Sequence, residues 1–525
     1  MSASWKTTIE LINKIERAID VNALRAHGLY VWPYARLRII IQLAQMEHDF
    51  PPIAFPVPPL AQLTRSIGPG GEKNLETQRL LLDVRKARQA EHIAQKRALR
   101  PFNPIDVLVV SIAEHCSQNV RNGLYSPVLD PIFESFSEYG RVLKVEVGPG
   151  LGQVPGRAHP TLSINPNPFT TARAIDAFLT SGREPKEEED AREVERELYR
   201  FLCEEYPSLD WAGERFLDNS LTLRHYGDFF VDLLSHLGVR CTVQTPHYHE
   251  VGMALNQACY ELNIPSVDVQ HAVLTGDNPH YLQFFKTPEG GYPMLPDSLW
   301  VWSKGTADMV NSLSSHEVGG VEAIVAGNPW HQRIGLRQDD IVDETTIRAL
   351  VNLSDYKHVV LVALQYPTPD PLPEIVRQAM ENSPSDWFWL IRYHPRSPEN
   401  LRNSIETELR ERGLLNWESD IANSTPLPVL LRYVSHVMTR YSSTCMEGAS
   451  LGIPSTFFDP TARDYYPQLL ELGISRLAES SQSIIDSILE GRSTEITQSA
   501  MFASGIDSTN GLLKKATHTI WERMG

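Results

Sequence analysis

The densest group of side chains able to do chemistry lies in residues 434–454, which read VSHVMTRYSSTCMEGASLGIP. A strand pattern ends near Thr439, three hydroxyls follow at Ser442, Ser443 and Thr444, and a small-residue helix through Met446, Gly448 and Ala449 then begins. Unpaired N–H groups at a helix start, joined by hydroxyl donors, suit an anion such as phosphate. The same residues also fit a plain capping box, with Thr444 as the cap and Glu447 reaching back to it. Glu447 is alternatively an acceptor for ribose hydroxyls. A second group follows the strand pattern of residues 387–393, where His394-Pro395-Arg396-Ser397 stands at the carboxyl end. An imidazole there can donate a hydrogen bond to a leaving phosphate, or protonate it, near neutral pH. Arg392, Arg396 and Arg440 are the cations able to meet phosphate or carboxylate.

A third group surrounds the strand pattern of residues 266–270 and continues through His271-Ala272 to Gly276-Asp277 and His280-Tyr281. His271 or Asp277 can take a proton from an acceptor hydroxyl. Asp277 also fits an ordinary Gly/Asp/Asn turn. Glu250, in Thr245-Pro246-His247-Tyr248-His249-Glu250 after another strand pattern, is a third candidate base.

Other chemistries are excluded. Gly148-Pro149-Gly150-Leu151-Gly152 follows a strand pattern, but Gln153 and Pro149 break the dinucleotide fingerprint, and no GxxxxGK[ST] loop occurs. No Asp-x-Asp lies near a sugar site, since Asp339-Asp340 sits in a polar segment, so neither a metal nor a cofactor is expected. The five cysteines are scattered without CxxC spacing, which implies no disulfide framework or zinc site and a reducing cytoplasm.

The elements that must position these groups divide the chain of 525 residues into about three domains. A composition with 42% hydrophobic and 22% charged residues excludes a disordered or fibrous chain. A net charge of −17 argues against a general nucleic-acid binder, so any anionic substrate needs a local site. No apolar run reaches the roughly 20 residues of a membrane span, and Met-Ser-Ala-Ser-Trp-Lys lacks a signal core.

Residues 1–100 read as a helical N-terminal region. Ile9, Leu11, Ile12, Ile15 and Ile19 recur at helical spacing within residues 7–25, and residues 34–48 repeat the pattern before a proline-rich strap. A helix over residues 72–100 carries eight Lys or Arg against four acidic residues. It is expected either to pack through Leu75, Leu80, Leu82 and Ile93, or to meet anionic lipid or a lipid-linked acceptor. From residue 104, β-branched runs at 105–111, 142–147, 239–244 and 266–270 alternate with helical stretches, with an exposed, solvated acidic helix inserted at 184–197. A second series has strands at 299–302, 322–325, 358–364, 387–393, 436–439 and 455–458, and residues 512–523 read as a closing helix. The expected fold class is α/β, with two tandem Rossmann-like doubly wound domains at 101–290 and 291–510, a helical N-terminal appendage, and the active site between the strand ends.

Gln270-His271-Ala272, Tyr393-His394-Pro395 and Tyr441-Ser442-Ser443-Thr444 with Glu447-Gly448 and Gly452-Ile453-Pro454 together resemble GT-B glycosyltransferases of bacterial surface polysaccharides. The resemblance spans residues 239–464 and is nearest to the CMP-sugar-dependent Kdo and sialic acid transferases, which share His-Pro and paired-serine motifs. It implies that His394 assists the departing nucleotide phosphate and that Ser442 and Ser443 hold it, with Pro395, Arg396, Thr444 and Glu447 completing the donor site. The teichoic-acid glycerophosphotransferases are similar and use a His-Gly loop as base. His271 matches that histidine, although Ala272 replaces the glycine; Asp277 is next, because acid-sugar transferases commonly use a carboxylate. The expected activity is metal-independent, inverting transfer from a nucleotide-sugar donor to a glycan or lipid-linked acceptor, in the cytoplasm or at the inner-membrane surface. A CDP-polyol phosphotransferase and a non-catalytic glycan-binding protein on the same fold are the rivals.

Overall fold

The computed structural model describes residues 5–48, 75–111, 118–120, 123–148, 150, 152–180, 186–274, 276, 278–313, 320–336, 342–368, 370–491 and 511–524. Asp277 and the Asp339-Asp340 pair lie outside them. The N-terminal region begins with helices Trp5–Ala18 and Trp32–His48, joined through a small antiparallel hairpin of β1 (Arg25–Ala26) and β2 (Leu29–Tyr30). Leu11, Ile12 and Ile15 share one helix face and, with Ile19 just past its end, are buried in one core with Ala191, Leu198 and Leu202 of the acidic helix Lys186–Glu205. That helix is therefore amphipathic and part of a core, not a solvated insertion.

The first sheet collects β3 (Val107–Ser111), β6 (Val142–Val147), β7 (Gly152–Gln153), β8 (Thr161–Ile164), β9 (Cys241–Gln244), β10 (Ser266–Val269), β11 (Ser298–Val301) and β12 (Glu322–Val325). Between β3 and β6 the chain makes a separate antiparallel hairpin of β4 (Gln118–Val120) and β5 (Gly123–Tyr125). The sheet order is β12-β11-β10-β9-β3-β6-β8-β7, parallel except for the β7–β8 pair. The second sheet contains β13 (His358–Ala363), β14 (Trp387–Arg392), β15 (Trp417–Glu418), β16 (His436–Thr439), β17 (Ser455–Phe457) and β18 (Ser475–Leu477). Its order is β15-β14-β13-β16-β17-β18, parallel throughout.

Successive side chains point to opposite faces, and both faces are covered, so these strands read as continuous apolar runs. Leu108 and Val110 enter one core while Val107 and Val109 enter another. Val360 and Val362 likewise part company with Val359 and Leu361. Each sheet reverses its winding order once. The first does so between β3 and β9, the second between β13 and β16. In doubly wound sheets this reversal splays the loops at the carboxyl ends and opens a crevice. The chain has the two-Rossmann, GT-B-type architecture with a helical N-terminal region.

Two further expectations are corrected. The strands expected at 299–302 and 322–325, assigned to the second domain, pair in parallel with β10 and with each other in the first sheet. The change of sheet thus falls after β12, beyond the expected boundary at 290/291. The helix Leu75–Leu99 does not pack through Leu75, Leu80, Leu82 and Ile93, which are 72%, 62%, 40% and 44% exposed. It packs through Leu81, His92, Gln95 and Leu99. The hydrogen bonds of His92 to Asp232 and of Gln95 to Asn165 let a polar face go inward. The closing helix Leu512–Arg523 returns to the first sheet, where Leu513, Ala516 and Ile520 pack with Val107 and Trp300.

Candidate active site

At the switch point of the second sheet, the hydroxyl turn is tied to the neighbouring strand. Thr439 Oγ1 donates to Ala363 O at 2.9 Å and accepts from Ser442 N–H at 3.2 Å, while Tyr441 N–H reaches Gln365 Oε1 at 3.2 Å. The helix that follows is Thr444–Ser450, with Ser443 at its N-cap and no side-chain cap bond. Thr444 is therefore inside the helix, and the capping box is not formed. Thr444 N–H is met by Ser442 Oγ at 3.3 Å. Glu447 turns away from the cap: its Oε2 lies 2.8 Å from Nε2 of His331, the third residue of helix Pro329–Leu336. Sequence reasoning missed His331; the signal for it was Gly327-Asn328-Pro329, one residue after β12.

His394 follows β14, beside β13. Its Nδ1 accepts the Arg396 backbone N–H at 3.1 Å. A neutral ring with its lone pair on Nδ1 carries its hydrogen on Nε2. Partial burial, with Arg396 beside it, pulls the His394 pKa below its ordinary value. The ring is thus a neutral hydrogen-bond donor at pH 7. Pro395 and Arg396 are exposed. Two of the arginines are committed elsewhere. Arg392, half-buried, donates to Ala422 O and Thr425 O, and Arg440 to Asp459 Oδ2 and Asp370 O.

The first sheet places Thr245 to His249 at its own switch point, after β9. The loop is pinned from below: the buried Asp268 carboxylate holds His247 Nδ1 at 2.8 Å, His247 N–H at 3.1 Å and Tyr281 Oη at 2.9 Å. His249 caps helix Glu250–Leu262 by accepting from Gly252 N–H. Gly252 is required there, since a Cβ would sit 2.5 Å from His247 O. His271, after β10, has Nδ1 3.3 Å from Thr245 Oγ1 and Nε2 3.0 Å from Tyr248 Oη. His280 stacks on Tyr248 with centroids 4.2 Å apart, and burial drives its pKa down to about 3. Gln270 steadies the segment through Trp302 N and Ala272 O.

The loop is held from the N-terminal side as well. Arg36, buried, pairs with Glu16 at 3.0 Å and donates to Leu282 O and Gln283 O; Glu16 in turn accepts from Trp32 Nε1 and Phe285 N–H. This buried ion pair fastens the segment after Tyr281 to the N-terminal helices. Glu250 faces the same helices: burial raises its pKa, and its charged neighbours are Arg38 and Glu214. The structure therefore brings His271, Thr245 and Tyr248 together and sets Glu250 among different partners. Among the described residues, no group of three His, Cys, Asp or Glu is arranged to hold a metal ion, and no helix is long and apolar enough to cross a membrane.

No protein-family model matches the chain, and no curated protein matches it. Among solved structures it is similar to UDP-GlcNAc 2-epimerase from Neisseria meningitidis bound to UDP-GlcNAc, at 13% identity over 80% of this chain and 100% of that one, with a TM-score of 0.47. It is similar to the glycotransferase of kitacinnamycin at 12% identity over 80% and 99% of the two chains, with a TM-score of 0.45. A protein from Anabaena in complex with UDP and glucose is similar at 12% identity over 79% and 99%, with a TM-score of 0.40. At this level the likeness concerns the fold.

Proposed function

We propose that the protein is a metal-independent, inverting glycosyltransferase that moves a sugar from a nucleotide donor, a CMP-linked acid sugar of the Kdo or sialic type, to a bacterial surface glycan. The observation that carries this reading is the position of Ser442 and Ser443 at the β13/β16 switch point, with His394 at the end of the adjoining strand β14. Doubly wound sheets bind ligands in that crevice. The two hydroxyls and the Nε2–H of a neutral His394 are all donors, which suits the negative charge that grows on a departing phosphate. Arg396 is the exposed cation beside them. The acceptor hydroxyl gives its proton to the first domain, where His271 stands next to the second switch point. The new bond to the anomeric carbon forms as the bond to the donor phosphate breaks.

The helix Leu75–Leu99 supports an acceptor held at an anionic lipid surface. Leu75, Arg79, Leu82, Lys86, Ile93 and Arg97 recur at spacings of three, four and seven, share one face and are exposed. The decisive experiment is a thermal-shift panel of CMP, CDP, UDP and GDP, since a nucleotide that binds only the folded chain raises its melting temperature. A shift with CMP alone supports the reading. A shift with CDP selects the polyol-phosphate transferase, and no shift with any nucleotide leaves a glycan-binding protein.

A further inference from the structure

Three contacts around His271 determine where its hydrogen is, without any hydrogen being observed. Thr245 Oγ1 lies 2.6 Å from Val269 O. A carbonyl only accepts, so the threonine hydrogen is committed to it. The contact between Thr245 Oγ1 and His271 Nδ1 must then be donated by the ring. A neutral His271 carries its hydrogen on Nδ1 and presents a lone pair at Nε2. That lone pair is already covered, because Tyr248 Oη lies 3.0 Å away and must be its donor. An acceptor hydroxyl therefore meets the phenol oxygen before it meets the imidazole.

We propose that Tyr248 is the residue that touches the acceptor and relays its proton to His271, with Thr245 as the positioning residue that sets the tautomer; this rests on the transferase reading above. The acceptor oxygen forms its bond to the anomeric carbon while its hydrogen passes to Tyr248 Oη. The hydrogen of Tyr248 passes at the same time to His271 Nε2, which becomes imidazolium. The bond between sugar and donor phosphate breaks with its electron pair leaving on the phosphate, so charge and protons balance.

The surroundings suit a shuttle better than a phenolate. Burial, helped by the Asp268 carboxylate, holds the Tyr248 phenol well above its ordinary pKa, so the ring keeps a hydrogen throughout. The face of Tyr248 is closed by His280, which burial keeps neutral. A cavity of about 20 Å³, lined by residues including Tyr248, His271, Ala272, Asn278 and Tyr281, opens on the pair. It has room for one water or one hydroxyl group.

The test separates a relay from a direct base. Tyr248→Phe removes the shuttle but uncovers His271 Nε2. A relay predicts that kcat for transfer falls about 100-fold or more, with the donor KM and the melting temperature unchanged. A direct base predicts transfer within a few-fold of the wild type, which would overturn the relay. Nitrogen-15 NMR of the histidine rings gives a readout independent of turnover. The Nδ1–H tautomer is expected at His271 in the wild type. Thr245→Val should shift the ring toward Nε2–H and lower kcat, and Thr245→Ser should reverse both. An Nε2–H tautomer in the wild type overturns the inference. Absence of transfer by the wild type from any nucleotide-sugar donor overturns the transferase reading and the relay with it, whereas an active wild type with an unaffected Y248F variant overturns the relay alone.

Discussion

His331 Nε2 and Glu447 Oε2 meet at 2.8 Å, with side-chain exposures of only 3% and 17%. The histidine stands on the helix that leaves the first sheet after β12, and the glutamate on the helix that follows the hydroxyl turn of the second. The pair thus ties the segment that connects the two sheets to the helix behind the proposed phosphate site. It leaves the hydroxyl turn without its local glutamate cap, and Ser443 heads the helix with no side-chain bond of its own. One side chain has been withdrawn from a local role by a partner 116 residues away.

The His394 ring is predicted to act by donating from Nε2. His394→Ala should reduce transfer about 100-fold, the usual cost of one lost donor to a developing anion, while the melting temperature stays near the wild type. The ring carries its Nε2–H whether or not Nδ1 is protonated, so the donor role predicts no fall in rate from the titration of His394 itself. Near-normal turnover of the variant at saturating donor would remove His394 from the mechanism.

Replacing Ser442 and Ser443 together with Ala distinguishes a phosphate turn from a structural one. Binding of phosphate predicts that nucleotide affinity weakens by more than the roughly 1 kcal/mol of a lost cap. A purely structural role predicts a lower melting temperature and the same affinity. Calorimetric titration and thermal unfolding of one protein sample give both values.

Stability is predicted to decline on the acid side. Burial takes His225 down to about 4, and His280 and His436 down to about 3. Their unfolded values are near 6.5, so the unfolded chain binds protons that the folded chain refuses. The contribution of these groups is complete above about pH 6.5 and is lost progressively toward pH 3, with a slope of at most about 1.4 kcal/mol per pH unit for each group. His280→Phe retains a ring against Tyr248 and removes one titration. Urea midpoints from pH 7.5 to 4 should show a shallower decline in the variant, and equal slopes would count against the buried neutral state.

The exposed face of Leu75–Leu99 predicts binding to vesicles that contain phosphatidylglycerol and none to pure phosphatidylcholine. Arg79→Glu, Lys86→Glu and Arg97→Glu in one chain should abolish co-sedimentation, as each cation contributes about 1 kcal/mol near an anionic surface. Retention of binding by that variant would assign this face no role.

Much of the sheet was legible because burial on both faces writes a strand as a short apolar run. The ranges at 142–147, 322–325 and 436–439 coincide with β6, β12 and β16. Strands with little apolar content, such as Thr161–Ile164 and Ser475–Leu477, left no such mark. The hydroxyl turn and the His-Pro loop were also visible, since both are contiguous. Tyr248 was not, although it lies in a segment quoted for Glu250, because nothing local distinguishes a tyrosine that covers a histidine from one that fills a core.

Residue order alone determined the periods, the breaks and the chemical types: which runs are strands, where hydroxyls cluster, and which loops carry imidazoles. Tertiary structure decided membership and partners. It placed β11 and β12 in the first sheet, turned Leu75 and Leu82 outward, joined Glu447 to a histidine 116 residues away, and set the His271 tautomer through Thr245. The physical reason is range: periodicity and turns come from neighbours within a few residues, whereas parallel pairing and side-chain hydrogen bonds require that distant segments first be packed against one another.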